Sequence, residues 1–124
     1  MKPKYQELAI KLATRKMMLY GYNALRQIPK SEKHVLGADV RTAMHRLMDC
    51  VIACEKSYYK NTTLRELDIA LESLRVLVGI AFELKFIAID AYENWSKHLT
   101  DVGNQIGGWI AWYKNQESNK KGRV

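Results

Sequence analysis

Lysine and arginine outnumber aspartate and glutamate by 20 to 13 in this 124-residue chain, a formal net charge of +7. The chemistry open to such an excess is capture of a polyanion. Ammonium and guanidinium groups neutralise phosphates and release counterions, which gives affinity with little sequence information. The candidate contacts are Lys30 and Lys33 in a polar loop, Arg41 and Arg46 on a following helix, Arg75 further on, and Lys114, Lys120, Lys121 and Arg123 towards the end. Each competes with a plainer role as a solvated surface charge. Arg75 has a second alternative, since Glu72 precedes it by three residues, a spacing that pairs side chains on a helix. Aromatic side chains could add stacking on single-stranded bases. Trp109, Trp112, Tyr58 and Tyr59 are the candidates, with Trp109 better placed to close the end of a core.

Catalysis finds no comparable constellation. The histidines His34, His45 and His98 are far apart and have no ligand spacing. The sequence holds no zinc-protease helix motif, no phosphate-binding glycine loop after a strand and no nucleophile elbow. Glu72 and Glu83 could meet in a bundle, but the glutamate-x-x-histidine pairs of di-iron bundles are missing. Cys50 and Cys54 fall four residues apart on one helix face and read as small buried hydrophobes. The expectation is a protein that is not an enzyme and needs no metal and no cofactor. With no signal peptide and no span-length apolar run, it is expected to be cytoplasmic and away from membranes.

The elements that must hold these charges are helical almost throughout. The first helix is expected from about Lys4 to Arg26, ended by Pro29. Its main stripe is Tyr5, Leu8, Leu12, Leu19 and Tyr22, with a weaker one of Ile10, Met17 and Ala24 on roughly the opposite side. A second helix runs from about Ala38 to Tyr59, with Val40, Ala43, Met44, Leu47, Val51 and Cys54 inward. Thr63 and Glu66 form a capping box that starts the third, which buries Leu64, Leu67, Leu71, Leu74, Val78 and Phe82. The chain must fold back near Lys85 to Ala88. A fourth helix then runs from about Asp90 to Asn115 and buries Tyr92, Trp95, Leu99, Val102, Ile106, Ile110 and Tyr113.

Four such helices with short connections make an all-α, up-down-up-down bundle over residues 1–115, followed by a basic, flexible tail at 116–124. The second stripes, Ile10 and Met17 on the first helix and Ile69, Val76 and Ile80 on the third, mark a surface for copies of the chain. Gly103, Gly107 and Gly108 each cost the fourth helix about 1 kcal/mol relative to alanine. Gly103 and Gly107 are therefore expected where a neighbouring helix crosses closely, with Trp109 filling the bundle end.

Three segments, RQIPKSEKHVLGADVR (26–41), LESLRVLVGIAFELKFIA (71–88) and LTDVGNQIGGWIAW (99–112), together resemble the accessory variability determinant (Avd) proteins of diversity-generating retroelements. These belong to a wider four-helix superfamily that includes the rRNA intervening-sequence proteins. The Pro29, Lys30, Ser31, Glu32 loop and the Gly103, Gly107, Gly108, Trp109 set carry the match. The resemblance implies a basic, barrel-shaped homopentamer without catalytic activity. It implies binding of a reverse transcriptase and of RNA or DNA, in support of error-prone copying of template RNA that diversifies a target gene. The chain departs from the pattern at Gly79 and Asn104, where relatives tend to carry arginine. Two alternatives keep the bundle: an rRNA-associated protein, and a protein-only interaction module for an acidic partner.

Overall fold

The computed structural model describes residues 3–58 and 60–122. Its helices are α1 (Pro3–Leu25), α2 (Leu36–Lys56), α3 (Lys60–Glu83) and α4 (Ile89–Gly122), with a 3-10 turn at Lys30–Glu32. Each helix packs on its neighbours in sequence, and α4 closes the ring against α1. All neighbours are antiparallel. Tyr22 meets His45 and Lys11 meets Glu55 between α1 and α2. Phe82 stacks on Tyr92 between α3 and α4, and Tyr20 donates to the Ala91 carbonyl between α1 and α4. The architecture is the expected up-down-up-down bundle.

The inner faces of α2 and α3 fall where their spacing places them, with Val40, Met44, Leu47, Val51 and Cys54 buried opposite Leu64, Leu67, Leu71, Leu74 and Val78. In α1 the stripes are exchanged. Ile10 and Met17, expected on an outer association surface, are fully buried, and Ala24 is buried with them. Tyr5, Leu8, Leu12, Leu19 and Tyr22 face outward instead. The reason is volume. α4 brings Trp95 and Trp109 into the core, both wholly buried, and α1 turns inward a face in which Ala13, Thr14 and Gly21 stand among Ile10 and Met17, with Gly21 against Trp95. An ideal Cβ on Gly21 would sit 2.6 Å from Met44 Sδ and 2.8 Å from Trp95 Cζ2. Large side chains at those positions would hold the helices apart, so this face goes inward.

The helix boundaries differ in three places. α2 ends at Lys56, short of the expected Tyr59, with Ser57 extended. α3 begins at Lys60, so Thr63 lies inside the first turn. Its hydroxyl donates to the Lys60 carbonyl and to Cys54 Sγ. Lys60 reaches back to the Cys54 and Glu55 carbonyls, satisfying the C-terminus of α2, and lies 5.5 Å from the centre of the Trp109 ring. α4 continues through Gly122, so the expected loose tail is helical over 116–122.

The fold-back falls where expected, at 84–88, without glycine. The Phe86 amide donates to the Ala81 carbonyl and the Lys85 amide to that of Phe82, the paired bonds that close a helix through a left-handed residue. Lys85 takes that conformation at φ 64°. A side chain there costs about 1–2 kcal/mol, which glycine avoids. Lys85→Gly should therefore raise the melting temperature by about 4 °C; an unchanged or lower value in a thermal scan would refute the assignment.

Lys11 and Glu55 link α1 to α2 with Nζ 2.7 Å from Oε2. The Lys11 hydrogen bond holds the Glu55 carboxyl below its ordinary range against the opposing effect of burial. A carboxyl depressed in the folded state stabilises the fold above its unfolded pKa, and that contribution is lost as pH falls through the folded value. Thermal stability should thus decline from about pH 4 downward. Glu55→Gln should flatten that decline, and an acid slope identical to wild type would rule the pair out as its source.

Candidate nucleic-acid interface

At one end of the bundle the α1–α2 connection and the α3–α4 turn lie side by side, tied by a hydrogen bond from the Ala88 amide to Gln27 Oε1. Residues 26–35 and 84–88 carry four basic side chains, Arg26, Lys30, Lys33 and Lys85, against one acid, Glu32. All four basic residues are exposed. The loop is shaped locally. Pro29, at φ −52° and ψ 144°, enters the 3-10 turn extended, and its carbonyl accepts from the Glu32 amide at 2.8 Å. The Arg41 guanidinium then donates to the Lys33 carbonyl at 2.8 Å. Gly37 is buried beneath, where an added Cβ would lie 3.4 Å from the Glu32 carbonyl.

Along α2 the surface continues through a shallow cleft lined by Tyr22, Ala38, Arg41, Thr42, His45, Arg46 and one acid, Asp49. Tyr22 Oη and His45 Nε2 share a hydrogen bond of 2.7 Å, and their rings meet edge to face. Lys30, Lys33, Arg41 and Arg46 thus come together as one basic region, with Arg41 half-buried and engaged in holding the loop. Arg26, Lys85 and His45 join it. Spacing does not single them out, because Arg26 and Lys85 sit on different connections and His45 shows no ligand spacing.

The remaining candidates lie elsewhere. Arg75 is on the α3–α4 face, its Nη2 donating to the Leu99 carbonyl at 3.3 Å and its Nη1 4.0 Å from Glu72. The contact depends on Gly103, where an added Cβ would sit 2.6 Å from Arg75 Nη2. Gly103 therefore admits a guanidinium to the α4 backbone and not a crossing helix, and Arg75 is engaged between α3 and α4. A Cβ on Gly107 would meet nothing within 4 Å, and Gly108 is exposed, so the expected close crossing at Gly107 is absent. Lys114 is exposed at the opposite end of the bundle, in a groove between α3 and α4. The side chains of Lys120 and Lys121, and the whole of Arg123 and Tyr59, lie outside the described residues. Among the aromatics, Trp109 is fully buried at the Lys60 end, Trp112 is half-buried and Tyr58 is exposed.

Cys50, Cys54 and His98 are engaged in packing, while His34 is exposed. Burial pushes both cysteine thiols up, with Arg46 offsetting part of the effect at Cys50 and the Thr63 hydrogen bond part of it at Cys54. His98 packs against Tyr20 with ring centres 5.1 Å apart. Among the described residues no group of three or more histidine, cysteine, aspartate or glutamate side chains could hold a metal ion. No described helix is long and apolar enough to cross a membrane.

A family model described as bAvd-like matches residues 8–113, which include every helix core, the basic connections and the Trp109 plug. No curated protein and no solved structure matches the chain.

Proposed function

The chain belongs to the bAvd-like family, accessory variability determinants, and from that premise we propose that it is the non-catalytic accessory subunit of a retroelement reverse transcriptase. It binds RNA or cDNA through the basic end and the enzyme through the assembled particle, a homopentamer, and supports mutagenic copying of template RNA in the cytoplasm. The observation that carries the nucleic-acid part is the juxtaposition of Arg26, Lys30, Lys33 and Lys85 on two connections bonded to each other. Four exposed cations over one acid concentrate positive charge on these two connections.

Binding of the purified chain to single-stranded RNA tests the reading. With four phosphate contacts per chain, raising salt from 50 to 200 mM should weaken affinity by roughly 50-fold. Absent or salt-insensitive binding would sink it. A complex with the reverse transcriptase that forms equally well in excess RNA would instead favour a protein-only module.

A further inference from the structure

Two apolar stripes on the outside of the bundle are not used by the fold. On α1 it consists of Tyr5, Leu8, Leu12, Leu19 and Tyr22, with Leu8 and Leu12 each 53% exposed. The steps between them alternate three and four residues once Arg15 fills the vacant slot, the 3.5-residue period of a coiled-coil seam. On α3 the exposed residues Ile69, Ser73, Val76 and Ile80 repeat the same steps. We infer that these are two halves of one contact. α1 of one copy packs along α3 of the next copy, parallel to it, with Arg15 of the first facing Glu72 of the second. The inference rests on the self-association proposed above and names the faces that make it.

Charge, direction and height all point to this pairing. Arg15 and Lys16 are exposed beside the α1 stripe, with the single acid Asp101 of α4 lining the same groove, whereas Glu66, Asp68, Glu72 and Glu83 are exposed on α3, where Arg65 and Arg75 balance only part of them. A basic seam facing a mostly acidic one steers the right pair together and disfavours each stripe pairing with itself. α1 and α3 are not packing neighbours within the chain and run in the same direction. A second copy rotated about an axis along the helices therefore brings α1 beside α3 without reversal. Gly21 abuts Trp95, three residues past Tyr92, which stacks on Phe82. Gly21 is thus level with Gly79, and six residues back along each helix Arg15 is level with Ser73, next to Glu72. Because the two faces differ, the contact is head-to-tail and builds a closed ring or an open filament, not a two-fold dimer.

Complementation between dead faces tests it on the full-length protein by sedimentation velocity. Leu19→Glu disables the α1 face and Ile80→Glu the α3 face, both at exposed positions, so each variant alone should be monomeric. Mixed, they keep one working contact and should form a 1:1 dimer that grows no further. The reversals Arg15→Glu and Glu72→Arg should each weaken association at least tenfold, and their combination should restore it. Variants that still assemble like wild type would overturn the pairing and leave self-association standing. A double reversal that fails to recover would overturn the Arg15–Glu72 contact. A monomeric wild type at micromolar concentration would overturn both this contact and self-association itself.

Discussion

Gly21→Val should destabilise the bundle by about 3 kcal/mol or more, the upper range for forcing volume into a packed core. Its Cβ would arrive 2.6 Å from Met44 Sδ and 2.8 and 3.1 Å from two atoms of the Trp95 indole. Met44 can turn its thioether aside. The indole cannot, being rigid and wholly buried between helices. Relief must come from moving α1 off α4, which opens the rest of the core. The other glycines make the contrast. At Gly103 the obstructing atom is the tip of a flexible arginine, and at Gly107 there is none. Alanine at Gly107 should add up to about 1 kcal/mol through helix propensity alone. Urea denaturation followed by tryptophan emission measures both substitutions. A Gly21→Val midpoint close to wild type would mean that Trp95 is not packed as described.

The second large effect belongs to the basic connections. Reversing Lys30 and Lys33 together to glutamate removes two phosphate contacts and adds two repulsions at exposed positions. RNA affinity should drop at least tenfold and the salt slope by about 1.4, the share of two single-strand contacts. Arg75→Ala is the matched control. Its guanidinium is engaged with the Leu99 carbonyl and set near Glu72, so its loss should shift stability and leave affinity within twofold. Fluorescence anisotropy with a labelled RNA separates the two. Equal losses from both variants would show that net charge, and not this end of the molecule, governs binding.

Apolar period alone located α2, α3, the fold-back near Lys85 and the inward Trp109, because on α2 and α3 the more regular apolar stripe is also the buried one, while Ile69, Val76 and Ile80 stay outside. α1 broke that equivalence. Its leucines Leu8, Leu12 and Leu19 lie on the outer face, and the tryptophans of α4 explain why a face that mixes Ala13, Thr14 and Gly21 with Ile10 and Met17 is the inner one. A stripe read by hydrophobicity misses a stripe chosen by size. Gly103 was legible as an anomaly but not as a seat for Arg75, since the partner lies 28 positions away in the chain and on another helix. Thr63 carried a sound capping signature, overridden because Lys60 starts α3 earlier and its ammonium closes the end of α2. The basic end was half legible: Arg26, Lys30 and Lys33 share one connection, whereas Lys85 joins them only through the Gln27–Ala88 bond.

The length of α4 has a consequence of its own. At 34 residues against 24 for α3, it outruns the next longest helix by about 15 Å. It starts level with the basic connections, so the excess projects from the opposite end. The molecule therefore has a front and a back. Copies related by rotation about an axis along the helices would keep every projection on one side and every basic connection on the other. Such a particle has sidedness, and whatever binds it must choose a face. An enzyme large enough to cover that face would be counted once per particle and not once per chain, so stoichiometry would be set by faces.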